Sequence, residues 1–399
     1  MTKILVADDL GEEDMALLRE VGDVTARTGM DEDALRAALP PFEALVVRSA
    51  TQVTDRSLEL AENLALIGRA GIGVDNSDVD AATRRGIAVM NTPEAGAVTT
   101  GEHALALLLS LARRIPAADA SLRSGKWAKS KFTGVELDQK QLGIVGLGRI
   151  GRVVAAKARG IGMTIAAYDP YVTQPQAPEG VRMLDLDELL AGSDFVSVHV
   201  PLADETRHLL SRERLFAMKP GALLVCAARG GIVDENGLCE ALAEGHLGGA
   251  ALDVFEQEPL PDDSPLRQAP NLIMTPHLGA STHEAKRNVS LDMARQIALA
   301  LKKGVVLNGV NVPRLAPADA AQVGPYLELA RNLASFLVQT FDGRLQSLRL
   351  TVQGGVPESA HRALTVAMLV GALKPSVAGT VTPVNAERIA RERNLREHC

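Results

Sequence analysis

The chain has 399 residues, of which 46% are apolar, and its 42 Lys and Arg against 49 Asp and Glu give a formal charge of −7. This length predicts two or three domains, with cores large enough to fold without disulfides. The acidic balance argues against a general nucleic-acid binder, and the ordinary apolar content argues against an intrinsically disordered chain.

The cysteines and the apolar runs indicate a cellular location. Cys226, Cys239 and Cys399 form no CxxC pair and have no metal-ligand spacing to a histidine, so we expect a reducing compartment and no metal. The first residues hold two acids, unlike a secretory signal. The densest apolar run, residues 104–112, is much shorter than the roughly 20 residues that cross a bilayer. We therefore expect a cytoplasmic protein with no membrane partner.

The first 90 residues alternate short apolar runs with helical patterns. Strands are predicted at 3–7, 44–47, 66–67 and 88–90, and helices at 13–21, 35–39 and 79–85. Strands that alternate with helices form a parallel sheet.

A second series follows an almost entirely apolar helix predicted at residues 99–115, which we expect to be buried in the core or against a partner chain. Its six strands are predicted at 142–145, 164–168, 195–199, 222–225, 249–253 and 272–275. A long helix at 284–303 would cross back to the first unit. Pro313, Pro317 and Pro325 predict a linker-like stretch, followed by a helix at 326–340 and a strand at 347–352.

The first informative motif is the glycine-rich sequence GLGRIG at residues 146–151. It follows a predicted strand and opens a predicted helix, which is the context that dinucleotide binding requires. Gly146 and Gly148 permit a tight turn and close approach of a pyrophosphate, and Gly151 permits close packing. Asp169, at the end of the next strand, would accept hydrogen bonds from the ribose and repel a 2′-phosphate, which favours NAD over NADP. The alternative is that the glycines serve strand–helix packing alone.

Arg229, Glu258 and His277 each follow the carboxyl end of a predicted parallel strand, where open α/β sheets bind ligands. Hydride removal from a secondary alcohol needs a base, and histidine titrates near neutral pH. A guanidinium suits a carbonyl beside a carboxylate, and an acid beside the imidazole stabilises its protonated form. Taken singly, these residues could be a surface ion-pair partner, a solvated acid and a structural histidine.

With these motifs, the sequence resembles the D-isomer-specific 2-hydroxyacid dehydrogenases. The resemblance runs from about residue 3 to about residue 310 and is carried by residues 47–51, 68–76, 90–93, 146–151, 198–202, 228–235, 252–259 and 276–282. It implies that Arg229 orients the substrate, that Glu258 pairs with His277, and that His277 exchanges the proton. Asp253 would lie near the nicotinamide carboxamide. The other implied cofactor contacts are Arg149, Ile150, Val200, Pro201, Ala227, Ala228, Gly279 and Ala280.

The resemblance also implies a substrate site. Arg48 and Arg69 match positions that bind phosphate in the phosphoglycerate-oxidising branch of the family, although they could be ordinary surface charges. Gly71 and Asn91 belong to the same motifs, and Lys129 and Lys131 match a stretch that reaches into a neighbouring subunit's site. The implied activity is NAD-dependent oxidation of D-3-phosphoglycerate to 3-phosphohydroxypyruvate in serine biosynthesis. The alternatives are a D-2-hydroxyacid dehydrogenase or hydroxypyruvate reductase acting on an unphosphorylated substrate, and an NADH-sensing corepressor.

The expected fold is α/β, with two parallel-sheet domains, flavodoxin-like and Rossmann-type, and a partial C-terminal α+β lobe. Residues 1–93 and 285–307 would bind the substrate, residues 94–284 would bind NAD, and residues 312–399 would form a partial intervening domain, with no serine-sensing domain visible. We expect a small-molecule substrate, no nucleic-acid partner, and a homodimer or homotetramer.

Overall fold

The computed structural model describes residues 1–313, 317–340, 345–357 and 360–398. It divides into two compact units, one of Met1–Ala95 with Arg287–Cys399 and the other of Gly96–Lys286. Each unit has its own parallel sheet. Cys399 and the predicted linker residues 314–316 lie outside the described residues.

The sheet of the first unit has five parallel strands. They are β1 (Thr2–Val6), β2 (Gly22–Ala26), β3 (Ala44–Val47), β4 (Leu66–Arg69) and β5 (Ala88–Asn91), in the spatial order β2-β1-β3-β4-β5. The helices that connect them are α1 (Glu12–Arg19), α2 (Glu32–Ala38) and α3 (Val79–Arg84). This order is the flavodoxin-like one, and every residue of β3 is buried, as its continuous apolar run predicts.

The second unit contains a seven-stranded parallel sheet. Its strands are β6 (Gln141–Val145), β7 (Thr164–Tyr168), β8 (Val181–Met183), β9 (Phe195–Val198), β10 (Leu223–Cys226), β11 (Gly249–Leu252) and β12 (Leu272–Met274). Its helices are α4 (Ala97–Ala112), α5 (Ile115–Arg123), α6 (Arg149–Gly160), α7 (Leu186–Gly192), α8 (Arg212–Ala217) and α9 (Glu235–Ala243). The spatial order β12-β11-β10-β9-β6-β7-β8 is of the Rossmann type, with the switch point between β6 and β9.

The chain then returns to the first unit through α10 (His283–Lys303), whose apolar face joins the core of the first sheet. Gly68 permits this approach, because a Cβ there would lie 2.6 Å from the sulfur of Met293. The remaining elements are α11 (Pro317–Thr340), β13 (Ser347–Arg349), α12 (His361–Leu373), α13 (Ala386–Glu392) and β14 (Arg396–His398). They form the small α+β portion, in which β13 pairs with β14 in parallel.

The structure corrects several predicted elements. Strands β2 and β8 were not predicted, because both are edge strands with few apolar residues, and the second sheet has seven strands instead of six. The helix predicted at residues 99–115 ends at Ala112, and Pro116 lies in the first turn of α5, where its missing N–H costs nothing. Pro317 and Pro325 lie within α11, so this part of the predicted linker is helical. The strand predicted at residues 347–352 is shorter than expected and ends at Arg349.

Among the described residues, no helix is both long and apolar enough to cross a membrane.

Candidate active site

The glycine-rich turn joins β6 to α6, and close contacts require two of its glycines. Gly146 has a left-handed φ of 96°, and a Cβ there would lie 2.8 Å from the carbonyl carbon of His199. A Cβ at Gly151 would lie 2.1 Å from the carbonyl oxygen of Gly146. A Cβ at Gly148, the N-cap of α6, would meet open space. The amino end of this 12-residue helix therefore has room for a close-lying pyrophosphate, and the turn fits a dinucleotide.

Asp169, which follows β7, is fixed beside this turn. Its two carboxylate oxygens accept hydrogen bonds from the backbone N–H groups of Leu147 (2.9 Å) and Tyr171 (2.9 Å). Each oxygen keeps a further lone pair, so the carboxylate is oriented and can still accept hydrogen bonds from ribose hydroxyls.

Arg229, Glu258 and His277 follow β10, β11 and β12, three neighbouring strands of one sheet. The Nδ1 atom of His277 lies 2.7 Å from Oε2 of Glu258, and the backbone N–H of Phe255 donates to the other carboxylate oxygen over 3.1 Å. The side chain of His277 remains 46% exposed. Because Nδ1 is taken by the carboxylate, Nε2 is the ring atom left to meet a ligand.

The environment shifts the pKa values of both members of this pair. The hydrogen bond that His277 donates to Glu258 raises the pKa of His277 above its usual value, against the opposing effects of burial and of the Arg229 charge. Burial raises the pKa of Glu258, but the hydrogen bonds from His277 and from the N–H of Phe255 outweigh it, so this pKa is lowered overall. The positive charge of Arg229 acts on both groups, because it lowers the pKa of Glu258 and the pKa of His277.

The loops that carry Arg229 and Glu258 are in direct contact. A Cβ at Gly230 would lie only 1.7 Å from the carbonyl oxygen of Phe255, so glycine alone permits this contact. The backbone N–H of Glu256 donates to the carboxylate of Glu235 at the start of α9, over 2.6 Å. The relative position of the two loops is therefore set by the backbone and by the α9 terminus.

In the first unit, the predicted substrate residues lie at the carboxyl ends of neighbouring strands. Arg48 follows β3, Arg69 ends β4 and Asn91 ends β5. The guanidinium of Arg69 lies over Gly71, where a Cβ would be 1.3 Å from Nη1. The side-chain amide of Asn91 donates to the carbonyl oxygen of Ile72 over 2.5 Å.

Two residues that the sequence did not single out hold this edge together. The buried carboxylate of Asp8 accepts the backbone N–H of Arg48 over 2.5 Å. Asn76 accepts from Nε of Arg69 over 3.3 Å and donates to the carbonyl oxygens of Arg48 and Thr51. The position of Asp8, directly after the strand predicted at residues 3–7, was the available signal for it.

The other predicted cofactor residues also lie at the carboxyl edge of the second sheet, except for two on α6. A methyl carbon of Val200 would lie 2.9 Å from a Cβ at Gly146, and Ala227 and Ala228 are buried after β10. Ile150 is partly buried, and Arg149, Pro201 and Ala280 are exposed. Lys129 and Lys131 are exposed on a short 3-10 helix (Lys129–Phe132), and their predicted role in a neighbouring subunit stays a prediction.

The family resemblance implies that Asp253 lies near the nicotinamide carboxamide, and the structure shows what surrounds this residue. Its carboxylate is fully buried and accepts the hydroxyl of Thr275 (2.6 Å) and the backbone N–H groups of Leu278 (2.7 Å) and Gly279 (2.8 Å). His103 on α4 brings Nε2 to 3.2 Å from the same carboxylate. His103 and Thr275 were missed, because a histidine on a helix gives no signal of its distant partner.

Comparison with known proteins bears on this site. The family model described as "D-isomer specific 2-hydroxyacid dehydrogenase, NAD binding domain" matches residues 105–279, and the one described as "D-3-phosphoglycerate dehydrogenase intervening domain" matches residues 322–397. A D-3-phosphoglycerate dehydrogenase of Synechocystis is 42% identical over 398 residues, which cover 99% of this chain and 72% of the relative. One of Methanocaldococcus jannaschii is 43% identical, over 99% of this chain and 76% of the relative. The chain belongs to the D-3-phosphoglycerate dehydrogenase family.

Solved structures of wider relatives share the fold. An NAD-dependent formate dehydrogenase from Staphylococcus aureus in complex with NAD has a TM-score of 0.68 at 29% identity, covering 77% of this chain and 100% of that one. A D-lactate dehydrogenase from Aquifex aeolicus complexed with NAD and lactic acid has a TM-score of 0.67 at 26% identity, covering 78% and 100%. The predicted fold class and family are confirmed. The matched NAD-binding domain contains the glycine turn, Asp169 and the three candidate catalytic residues.

Proposed function

We propose that the protein is an NAD-dependent dehydrogenase that oxidises D-3-phosphoglycerate to 3-phosphohydroxypyruvate, the first step of phosphorylated serine biosynthesis. The observation that carries the proposal is the 2.7 Å contact between His277 and Glu258 at the carboxyl edge of a dinucleotide-type sheet, in a chain 42% identical to a D-3-phosphoglycerate dehydrogenase.

His277 acts as the base in this direction. The neutral Nε2 takes the proton of the substrate hydroxyl, and the resulting imidazolium is stabilised by Glu258 at Nδ1. In the reverse direction the same Nε2 donates the proton. Arg229 binds the substrate carboxylate and the developing carbonyl through its fork of donors.

The cofactor is NAD, and when bound its nicotinamide accepts the hydride. The residues that hold it are the glycine turn at the start of α6 and Asp169, whose carboxylate would repel the additional phosphate of NADP. Supporting contacts come from Arg149, Ile150, Val200, Pro201, Ala227, Ala228, Asp253, Gly279 and Ala280.

The substrate phosphate is bound by the first unit. Arg48 and Arg69 lie at the same strand edge, and guanidinium groups match phosphate oxygens in geometry and charge. Gly71 and Asn91 shape that edge, and Lys129 and Lys131 approach the site of a partner subunit. On this view, residues 1–93 and 285–307 bind the substrate, residues 94–284 bind NAD, and residues 312–399 are an intervening domain.

The cellular setting follows from the same proposal. The protein works in the cytoplasm as a homodimer or homotetramer and has no nucleic-acid or membrane partner. Val98, Ile115 and Leu122 are large apolar side chains exposed on α4 and α5, which supports an interface between copies there.

One steady-state comparison tests the function. 3-Phosphohydroxypyruvate, hydroxypyruvate and glyoxylate are each reduced with NADH, and kcat/KM is measured. Two guanidinium–phosphate contacts predict a preference of at least about a hundredfold for the phosphorylated substrate. Equal values for the three would favour a hydroxypyruvate reductase, and NADH binding without any turnover would favour the corepressor alternative.

A further inference from the structure

Asp253 lies at the centre of a hydrogen-bonded cluster under the loop that carries His277. Its carboxylate accepts three hydrogen bonds from this loop, one from the hydroxyl of Thr275 and two from the N–H groups of Leu278 and Gly279. The loop therefore wraps around the buried carboxylate on both sides of His277.

The backbone of His277 needs this support. Its φ is 53°, in the left-handed region that non-glycine residues rarely adopt. The N–H of His277 donates to the carbonyl oxygens of Asp253 (2.9 Å) and Thr275 (3.0 Å). Asp253 therefore holds this conformation through its backbone carbonyl as well as through its carboxylate. Left-handed residues of this kind persist only where the surroundings fix them.

His103 connects the cluster to a rigid element. It projects from α4, a 16-residue helix whose buried face packs against the core of the second unit. Its Nε2 lies 3.2 Å from the Asp253 carboxylate and 3.4 Å from the hydroxyl of Thr275. The Oδ1 atom of Asp253 thus has its partners in Thr275, Leu278 and His103.

We propose that His103 is a positioning residue: through Asp253 and Thr275 it fixes the loop of residues 275–279, so that Nδ1 of His277 stays on Glu258 and Nε2 points to the substrate. This inference rests on the proposed function in that His277 is the group that moves the proton. His103 itself touches neither substrate nor cofactor on this view.

The main test compares His103→Ala with His246→Ala. His246 is a matched control, because it is also a partly buried histidine of the second unit whose Nε2 contacts an oxygen, the Met218 carbonyl at 3.1 Å. It precedes β11, at the opposite edge of the sheet from the site. We expect His103→Ala to lower kcat at least about tenfold in both directions, with KM and the Kd for NADH within about threefold of wild type. His246→Ala is expected to keep the wild-type kcat.

A second readout does not depend on any substrate. Hydrogen–deuterium exchange of the segment 275–281, followed by mass spectrometry, reports whether Leu278 and Gly279 stay bonded to Asp253. His103→Ala should exchange at least about tenfold faster there than wild type, and His246→Ala should not. Thr275→Val, which keeps the side-chain shape, should behave like His103→Ala, and Thr275→Ser should restore most of the lost turnover.

The outcomes separate this inference from the proposed function. Wild-type exchange in both His103→Ala and Thr275→Val overturns the positioning role, whatever the substrate is. Faster exchange with wild-type kcat also overturns it, because the loop would then not need to be held for catalysis. Loss of NADH affinity at unchanged kcat would assign the cluster to cofactor binding. If the wild-type protein reduces none of the three keto acids, the proposed function fails, and the exchange data still decide the positioning role.

Discussion

Replacing Glu258 by glutamine tests the electrostatics of the proton-transfer pair. Glutamine keeps the shape of the side chain and can still accept a hydrogen bond from Nδ1 of His277, but it removes the negative charge. Because the hydrogen bond that His277 donates to the Glu258 carboxylate is the largest cause of the raised pKa of His277, we expect this pKa to fall in Glu258→Gln.

The size of the change follows from the contact. A hydrogen bond to a charged group contributes about 1.5–3 kcal/mol and one between neutral groups about 0.5–1.5 kcal/mol, so the exchange removes about 1 kcal/mol. One pKa unit corresponds to about 1.4 kcal/mol. The side chains of His277 and Glu258 are 46% and 37% exposed, so solvent screening reduces the effect. We expect a shift of about half a pH unit, and at most about one unit.

The pH dependence of kcat/KM measures this shift. Oxidation needs neutral His277, so its rate rises with pH through the pKa of His277, and reduction needs the imidazolium, so its rate falls through the same pKa. A lowered pKa of His277 therefore moves the rise of the oxidation rate and the fall of the reduction rate to lower pH. The matched control is Glu256→Gln, which removes the carboxylate of another carboxylate–histidine pair. Glu256 lies 3.0 Å from Nε2 of His208, and its side chain is 42% exposed, close to the 37% of Glu258.

An unchanged pH dependence of kcat/KM in Glu258→Gln would refute the reasoning, because the carboxylate would then not set the pKa of His277. Equal shifts in Glu258→Gln and Glu256→Gln would refute it as well, since they would report the net charge of the loop instead of one contact.

Three further substitutions test the remaining parts of the site. His277→Ala should keep its affinity for NADH, measured by fluorescence titration, but lose turnover by about 10²–10⁴-fold, and more than about a tenth of the wild-type rate would contradict its role. Gly146→Ala must place its Cβ 2.8 Å from the His199 carbonyl at a φ of 96°, so we expect a loss of about 1–3 kcal/mol in the free energy of unfolding together with loss of NADH binding. Gly148→Ala has open space for its Cβ and serves as the folding control, with an expected Tm near that of wild type. Arg69→Ala should raise KM for the phosphorylated substrate at least about tenfold without a matching rise for hydroxypyruvate, and equal rises would contradict phosphate binding.

Much of the fold could be predicted because its central strands are buried on both faces. Runs such as residues 44–47 are continuously apolar and coincide with β3, and the strand predicted at 164–168 coincides with β7. Two edge strands of the large sheets, β2 and β8, escape this reasoning. In β8, which pairs with β7 alone, Arg182 is exposed, so the sequence gives no apolar run to detect.

Proline was the other source of error, because its effect depends on its position in a helix. The helix predicted at residues 99–115 stops before Pro116, yet Pro116 lies in the first turn of α5, and Arg114 separates the two helices with a left-handed φ of 53°. Pro325 lies inside α11. The sequence shows that a proline is present, but not whether it lies in the first turn of a helix. In a first turn the N–H that proline lacks would have no intrahelical partner, so proline does not end the helix there.

For the site, the amino-acid sequence is enough to show which chemical groups follow which strands. Parallel strands bring their carboxyl ends to one edge, so Arg229, Glu258 and His277 had to converge once three neighbouring strands were recognised. How the imidazole is held depends on contacts that form only in the folded chain. The contact of Glu258 with Nδ1, the left-handed backbone of His277 and the buried Asp253 beneath it depend on distances of about 3 Å between residues far apart in the chain, which no local pattern encodes.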